Sequence, residues 1–117
     1  MRHRVKKAIL NRPADQRKAL IRNLLTSLFL TGHLTTTDAK AKALVAAVDK
    51  FISLVKRKDD MNAIREIKKI IFTEEAQKKA LNFIKNTKRV SGFTRKTRIG
   101  YRDGDSALKI KVELITD

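Results

Sequence analysis

The chain has 117 residues, of which 42% are apolar and only 5% aromatic, so we expect one small domain with a mainly aliphatic core. It contains no cysteine, which excludes disulfides and thiolate metal sites. The formal net charge of +16, from 28 Lys and Arg against 12 Asp and Glu, favours a polyanionic partner such as nucleic acid. We expect a soluble, cytoplasmic protein, since the most apolar stretch, residues 24–30, is too short to span a membrane.

The positive charge is concentrated in two flanking segments. Residues 1–25 hold eight basic residues and one acid, and residues 85–102 hold seven basic residues and no acid. Residues 26–84 are closer to balance, with eleven basic and seven acidic residues, and residues 103–117 are net acidic. We therefore interpret the middle of the chain as an ordinary solvated surface and the two flanks as a ligand-binding surface.

The first 32 residues predict a basic arm followed by a helix. Residues 1–12 lack apolar periodicity and are interpreted as an RNA-binding arm that precedes a single α+β domain, residues 13–117. Pro13 is tolerated in a first helical turn, and Gly32 is a good residue to follow a last one, so both ends of this helix are marked. Its predicted inward arc consists of Leu20, Ile21, Leu24, Leu25 and Leu28.

Three further helices are predicted after a short Thr-rich strand, His33–Thr37. Thr36 or Thr37 can cap the second helix, Asp59 and Asp60 mark the break and the next cap, and Thr73 can cap the fourth helix. The expected inward residues of the second helix are Ala41, Leu44, Val45, Val48, Phe51, Ile52 and Val55. Those of the third are Met61, Ile64, Ile67, Ile70 and Ile71, and those of the fourth are Ala76, Ala80, Phe83 and Ile84.

The apolar period changes after Asn86 and predicts two strands. Residues 93–99 read as a strand with basic residues on both faces, and the pattern leaves open which face is buried. Residues 103–105 indicate a turn, and residues 108–114 alternate between apolar and charged, which is typical of a half-buried strand. The order helix, strand, three helices, two strands predicts an α+β fold with the helices packed on one face of a small mixed sheet.

The residues that could carry catalysis have simpler interpretations. There is no glycine-rich phosphate loop, and the two histidines, His3 and His33, lack the cysteines or paired carboxylates of a metal site. His33 is interpreted as a turn residue and His3 as a phosphate contact in the arm. Asp59 and Asp60 stand before an amphipathic helix, which favours capping over metal-assisted chemistry. We expect no enzymatic activity, no cofactor, no metal and no small-molecule substrate.

Nucleic acid remains the predicted partner. Arginine is frequent in both flanks and suits contacts to phosphates and stacking on bases. RNA is favoured over DNA because no helix free of acids is presented for a DNA major groove. Two alternatives stay open: a small DNA-binding architectural or regulatory protein, which would bind duplex DNA at least as well, and an RNA-processing enzyme, which would need a convergent acid–base or metal constellation.

Three blocks of residues, in register and in order, resemble the bacterial family of large-subunit ribosomal proteins L17. The first block comprises Met1-Arg2-His3-Arg4, Leu10-Asn11-Arg12, Arg17, Ala19 and Arg22-Asn23. The second comprises Leu34-Thr35-Thr36-Thr37, Ala39-Lys40-Ala41-Lys42, Asp49, Ile52, Ser53 and Lys56. The third comprises Phe93-Thr94-Arg95, Gly100, Arg102, Gly104-Asp105, Ala107 and Glu113-Leu114-Ile115. The sequence departs from the family pattern at Lys96, where an apolar residue is usual.

The resemblance implies a structural protein of the bacterial large subunit, bound to the ribosome in the cytoplasm. Such proteins bind the large ribosomal RNA near the outer rim of the peptide exit tunnel, beside other large-subunit proteins. The basic flanks and the family blocks together give the predicted RNA-binding residues: Arg2, His3, Arg4, Lys6, Asn11, Arg12, Arg17, Lys18, Arg22, Asn23, Thr36, Lys40, Lys42, Arg89, Arg95, Lys96, Arg98 and Arg102.

Overall fold

Four helices and three strands follow one another in the predicted order. The structure, a computed structural model, describes residue 10 and residues 12–116. Its elements are α1 (Ala14–Thr31), β1 (His33–Thr37), α2 (Asp38–Lys56), α3 (Asp60–Ile70), α4 (Glu74–Asn86), β2 (Thr94–Tyr101) and β3 (Leu108–Leu114). The α+β class is confirmed.

Most of the helix ends lie where polar or glycine residues predict them. Gly32 adopts a left-handed conformation (φ +87°) after α1, and its N–H donates to the Leu28 carbonyl at 2.7 Å. The side chains of Asp59 and Thr73 cap α3 and α4 by accepting from the backbone N–H groups of Asn62 and Ala76, the third residue of each helix. The predicted side-chain cap of α2 is wrong: Thr37 makes no such bond. Thr37 is also the last residue of β1, so its pairing with Lys109 sets its conformation.

The sheet has the order β1-β3-β2, and both pairings are antiparallel. The prediction of a mixed sheet is therefore wrong in that detail. β1 and β2 run parallel to each other, but β3 lies between them, so no parallel pair of neighbouring strands is formed. β3 follows β2 through a tight hairpin and takes the centre of the sheet.

The core lies between the helices and one face of β3. Ile110 and Val112 are buried on that face, as the alternation of β3 predicts. The largest fully buried side chains are Leu28, Leu44, Val48, Ile52, Val55, Ile67, Ile71, Phe93 and Val112. α1 and α2 both contact β3, so within the described residues the helices cover one side of the sheet and leave the other side open.

The predicted inward face of α3 is partly wrong. Met61 is 65% exposed and Ile64 39% exposed, whereas Ala63 and Ile67 are buried. Each residue of an α-helix is rotated by about 100° from the one before it, so residues three apart are about 60° short of a full turn. Four residues spaced three apart, from 61 to 70, are therefore spread over about 180° of the helix surface. Such a run cannot face the core along its whole length, and here Ile67 is buried and Ile70 half-buried while Met61 and Ile64 are exposed.

Candidate nucleic-acid interface

β2 is an edge strand that carries three unpartnered cations. It pairs with β3 only, so its other side has no neighbouring strand within the described residues. Arg95, Lys96 and Arg98 are all exposed along it. No ion pair or side-chain hydrogen bond joins these three side chains to any residue that the structure describes. Their charges are therefore available to an anionic partner.

The register of the sheet assigns these cations to opposite faces. Lys96 is aligned with Val112 and Arg98 with Ile110, and residues aligned across an antiparallel pair share a face. Lys96 and Arg98 therefore lie on the same side of the sheet as the buried residues of β3, and both are exposed. Arg95 is aligned with Glu113 and lies on the open side. The prediction of basic residues on both faces is confirmed.

The open face of the sheet adds two lysines that were not among the predicted site residues. Lys109 and Lys111 alternate with the buried residues of β3, so they point away from the core and share the open face with Arg95. Both are half-buried. The signal was present in the alternation of residues 108–114, but the net acidic charge of the last fifteen residues concealed it.

Several of the basic residues in the middle of the chain pair with nearby acids. Glu66 accepts from Lys58 at 2.9 Å and from Lys69 at 3.3 Å, and these two hydrogen bonds lower the pKa of its carboxyl. On α4, Lys78 pairs with Glu74 at 3.5 Å and Lys79 with Glu75 at 3.4 Å. The basic and acidic residues that nearly balance in the sequence of residues 26–84 thus also form close ion pairs in the fold.

Arg22 is already engaged inside the protein. Its Nε donates to the Ile70 carbonyl at 3.1 Å, and its guanidinium carbon lies 4.0 Å from the centre of the Phe72 ring. The residue is half-buried, so part of its side chain is already covered within the protein. Arg22 joins α1 to the segment between α3 and α4, and its contact with RNA stays a prediction.

Arg102 also has an internal partner. Its Nε donates to Asp105 Oδ1 at 2.9 Å, and a second guanidinium nitrogen contacts the other carboxylate oxygen. The Ala107 N–H donates to Asp105 at 3.1 Å, which closes the predicted turn between β2 and β3. The Arg102 hydrogen bond, followed by that of Ala107, lowers the pKa of Asp105 to about 2. RNA contact by Arg102 stays a prediction beside this structural role.

The pH dependence of this turn follows from the lowered pKa. The pKa of Asp105 is lower in the folded chain than its ordinary value of 3.8, so its contribution to the stability of the turn is complete above pH 3.8. The contribution declines below pH 3.8 and is lost as the pH falls through about 2. A carboxyl-detected NMR titration should show Asp105 titrating near 2, and Asp103 serves as the control in the same turn. A value near 3.8 for Asp105 would contradict the paired geometry.

The remaining predicted site residues fall into two groups. Arg12, Lys18, Asn23, Lys42 and Arg89 are exposed, while Arg17, Thr36 and Lys40 are half-buried. Arg17 donates to the Arg12 carbonyl at 3.1 Å, and Lys42 pairs with Asp38 at 3.5 Å. Thr36 and Arg98 are both aligned with Ile110, so the sheet brings these two predicted residues into one row. Five predicted residues lie outside the described residues: Arg2, His3, Arg4, Lys6 and Asn11.

Lys56 was not among the predicted site residues, yet it holds the beginning of the basic segment 85–102 in place. Its Nζ donates to the Thr87 carbonyl at 3.0 Å and to the Arg89 carbonyl at 2.9 Å. The chain leaving α4 is thereby tied to the end of α2. Sequence periodicity gives no signal for such a contact, because it joins a helix terminus to a loop.

Two properties of the described residues bear on other kinds of site. Residues 10 and 12–116 contain no group of three or more His, Asp or Glu side chains placed to hold a metal ion. Within the same part of the chain, no helix combines the length and the apolar character needed to cross a membrane.

Comparison with known proteins gives relatives that match most or all of the chain. Residues 20–115 match the family described as Ribosomal protein L17. A "Large ribosomal subunit protein bL17" of Desulforapulum autotrophicum is 42% identical, over 100% of this chain and 98% of the relative. Proteins of the same description from Desulforudis audaxviator and Clostridium perfringens are 36% and 39% identical, over 87% and 91% of this chain and 92% and 95% of the relatives. The chain therefore belongs to the ribosomal protein L17 family.

Proposed function

We propose that the chain is a structural constituent of the large ribosomal subunit and binds large-subunit ribosomal RNA. The observation that carries the proposal is the set of unpartnered cations on β2, Arg95, Lys96 and Arg98, in a chain of the L17 family. The relatives that it matches are named large ribosomal subunit proteins. In this role the chain is ribosome-bound in the cytoplasm, has neighbouring ribosomal proteins as partners and catalyses no reaction.

The fold supports phosphate binding by holding β2 at both ends. At one end, Lys56 ties down the carbonyls of residues 87 and 89. At the other, the Arg102–Asp105 pair closes the hairpin into β3. The cations between these anchors are presented on a paired strand, so little backbone freedom is lost when RNA binds. Their neutralisation of phosphates releases counterions, which is the main source of affinity in such complexes.

The second part of the proposed interface is the N-terminal flank. The exposed side chains of Arg12 and Lys18 lie just before α1 and in its first two turns, and Asn23 is exposed further along, in the middle of the helix. The predicted arm, residues 1–12, would extend this surface with Arg2, His3, Arg4, Lys6 and Asn11. A position near the rim of the exit tunnel remains what the family resemblance implies.

A binding competition distinguishes this function from that of a DNA-binding protein. We expect purified protein to bind isolated large-subunit ribosomal RNA more tightly than small-subunit ribosomal RNA or duplex DNA, by roughly tenfold or more at one salt concentration. Electrophoretic mobility shifts with all three competitors measure the ratios. Equal or tighter binding of duplex DNA would contradict the proposal.

A further inference from the structure

The last residue of β2, Tyr101, is an aromatic side chain without a partner among the described residues. Tyr101 is 69% exposed. No hydrogen bond or ring contact joins it to any of the residues that the structure describes. The five phenylalanines are different: four are buried or half-buried, and the ring of Phe72 is covered by the Arg22 guanidinium. An exposed aromatic ring by itself is common, so its surroundings decide what it can do.

A β-bulge places Tyr101 on the same face as two of the unpartnered cations. Lys96, Arg98 and Tyr101 are aligned with Val112, Ile110 and Leu108, which alternate along one face of β3. In a regular strand, Tyr101 would lie three positions from Arg98 and point to the opposite face. The register shift between Arg98 and Gly100 inserts one residue and returns Tyr101 to the face of Arg98.

Gly100 makes this bulge possible. Its φ is +153°, a backbone conformation that residues other than glycine rarely adopt. The adjoining Ile99 is 51% exposed, so the bulge is not required to bury an apolar side chain at this position. The bulge therefore places the Tyr101 ring on the same face as Lys96 and Arg98, in a strand that contains no acidic residue.

We propose that Tyr101 stacks on an unpaired base of the bound RNA while Arg98 and Lys96 contact the adjoining phosphates. Successive residues on one face of a strand are about 7 Å apart, so the three side chains form a row along which a single strand can lie. Single-stranded RNA is commonly bound by an aromatic ring beside basic side chains, whereas the bases of a duplex are stacked internally and closed to the ring. The inference rests on the proposed RNA-binding function and assigns to this site an unpaired segment rather than a helix.

The composition of the chain provides a direct probe of this contact. Tyr101 is the only tyrosine and there is no tryptophan, so intrinsic fluorescence reports on this one side chain. We expect a ten-nucleotide oligoadenylate to quench the tyrosine emission, after correction for absorption by the oligonucleotide. A ten-base-pair RNA duplex should bind through charge and quench much less. Equal quenching by the two RNAs would overturn the proposal.

Substitutions test the same contact by affinity. Stacking on one ring corresponds to about a 5- to 150-fold change in affinity, so Tyr101→Leu should weaken oligoadenylate binding within this range. Tyr101→Phe keeps the ring and should retain most of the affinity. Phe72→Leu is the matched control, because it removes another exposed aromatic ring away from β2 and should change the affinity little.

The outcomes separate this inference from the function on which it rests. If the wild-type chain binds ribosomal RNA but Tyr101→Leu and Phe72→Leu bind oligoadenylate equally well, the stacking contact is wrong and the RNA-binding function stands. If the wild-type chain binds no RNA, the proposed function itself fails. Should Tyr101→Leu not fold, the fluorescence of the wild-type chain and the affinity of Tyr101→Phe decide, and an unquenched wild-type chain overturns the proposal.

Discussion

Replacing Arg95, Lys96 and Arg98 together by glutamine should reduce the affinity for large-subunit ribosomal RNA on the order of 10²-fold at 0.1 M salt. The three side chains are exposed and have no partner among the described residues, so the protein loses RNA contacts and no internal ones. Each lost phosphate contact also removes about 0.7–0.9 from the slope of log affinity against log salt. A fluorescence-anisotropy titration at several salt concentrations should therefore show the slope flattened by about 2–3 units.

A control variant separates position from charge. Arg57, Arg65 and Lys68 match the β2 set in residue type, are exposed, and lie in the nearly balanced middle of the chain. Their replacement by glutamine should change affinity little, because distant charges are screened beyond about 10 Å at 0.1 M salt. Circular dichroism first shows that both variants are folded. Equal losses would mean that the cations of β2 act only through net charge.

A large loss of stability is expected from Ile67→Ala. Ile67 is 2% exposed in the middle of the core, so its truncation leaves a cavity and should lower the free energy of unfolding by about 2–5 kcal/mol. Ile64, one turn earlier on the same helix, is 39% exposed, and Ile64→Ala should cost about 1 kcal/mol or less. Urea unfolding followed by circular dichroism measures both. Similar losses at the two positions would contradict the orientation of α3.

Local signals in the sequence predicted much of the fold. Gly32 ends α1, Asp59 and Thr73 cap the helices that they were expected to cap, and the alternation of β3 buries Ile110 and Val112. These features depend on a few neighbouring residues and on one strong period. The inward face of α3 was less predictable, because its isoleucines wind around the helix and tertiary packing selects among them.

The candidate site was predictable as a charged segment but not as a geometry. The acid-free run identified Arg95, Lys96 and Arg98, and its alternation placed basic residues on both faces of the strand. Charge counting could not show that Arg22 and Arg102 are engaged by Phe72 and Asp105, since those contacts depend on the fold. The bulge at Gly100, which aligns Tyr101 with Arg98, was equally hidden, because a one-residue shift becomes visible only when both strands are paired.

The central claim, that the chain is part of the large ribosomal subunit through contact with its RNA, is tested most directly by sedimentation. Native subunits from cells that carry the gene are separated on a sucrose gradient after a high-salt wash, and the chain is detected by antibody in each fraction. We expect it to remain with the large subunit, in amounts comparable to other proteins of that subunit, and the β2 variant to be depleted from that fraction. Recovery of the wild-type chain at the top of the gradient, with the small subunit or with DNA would contradict the claim.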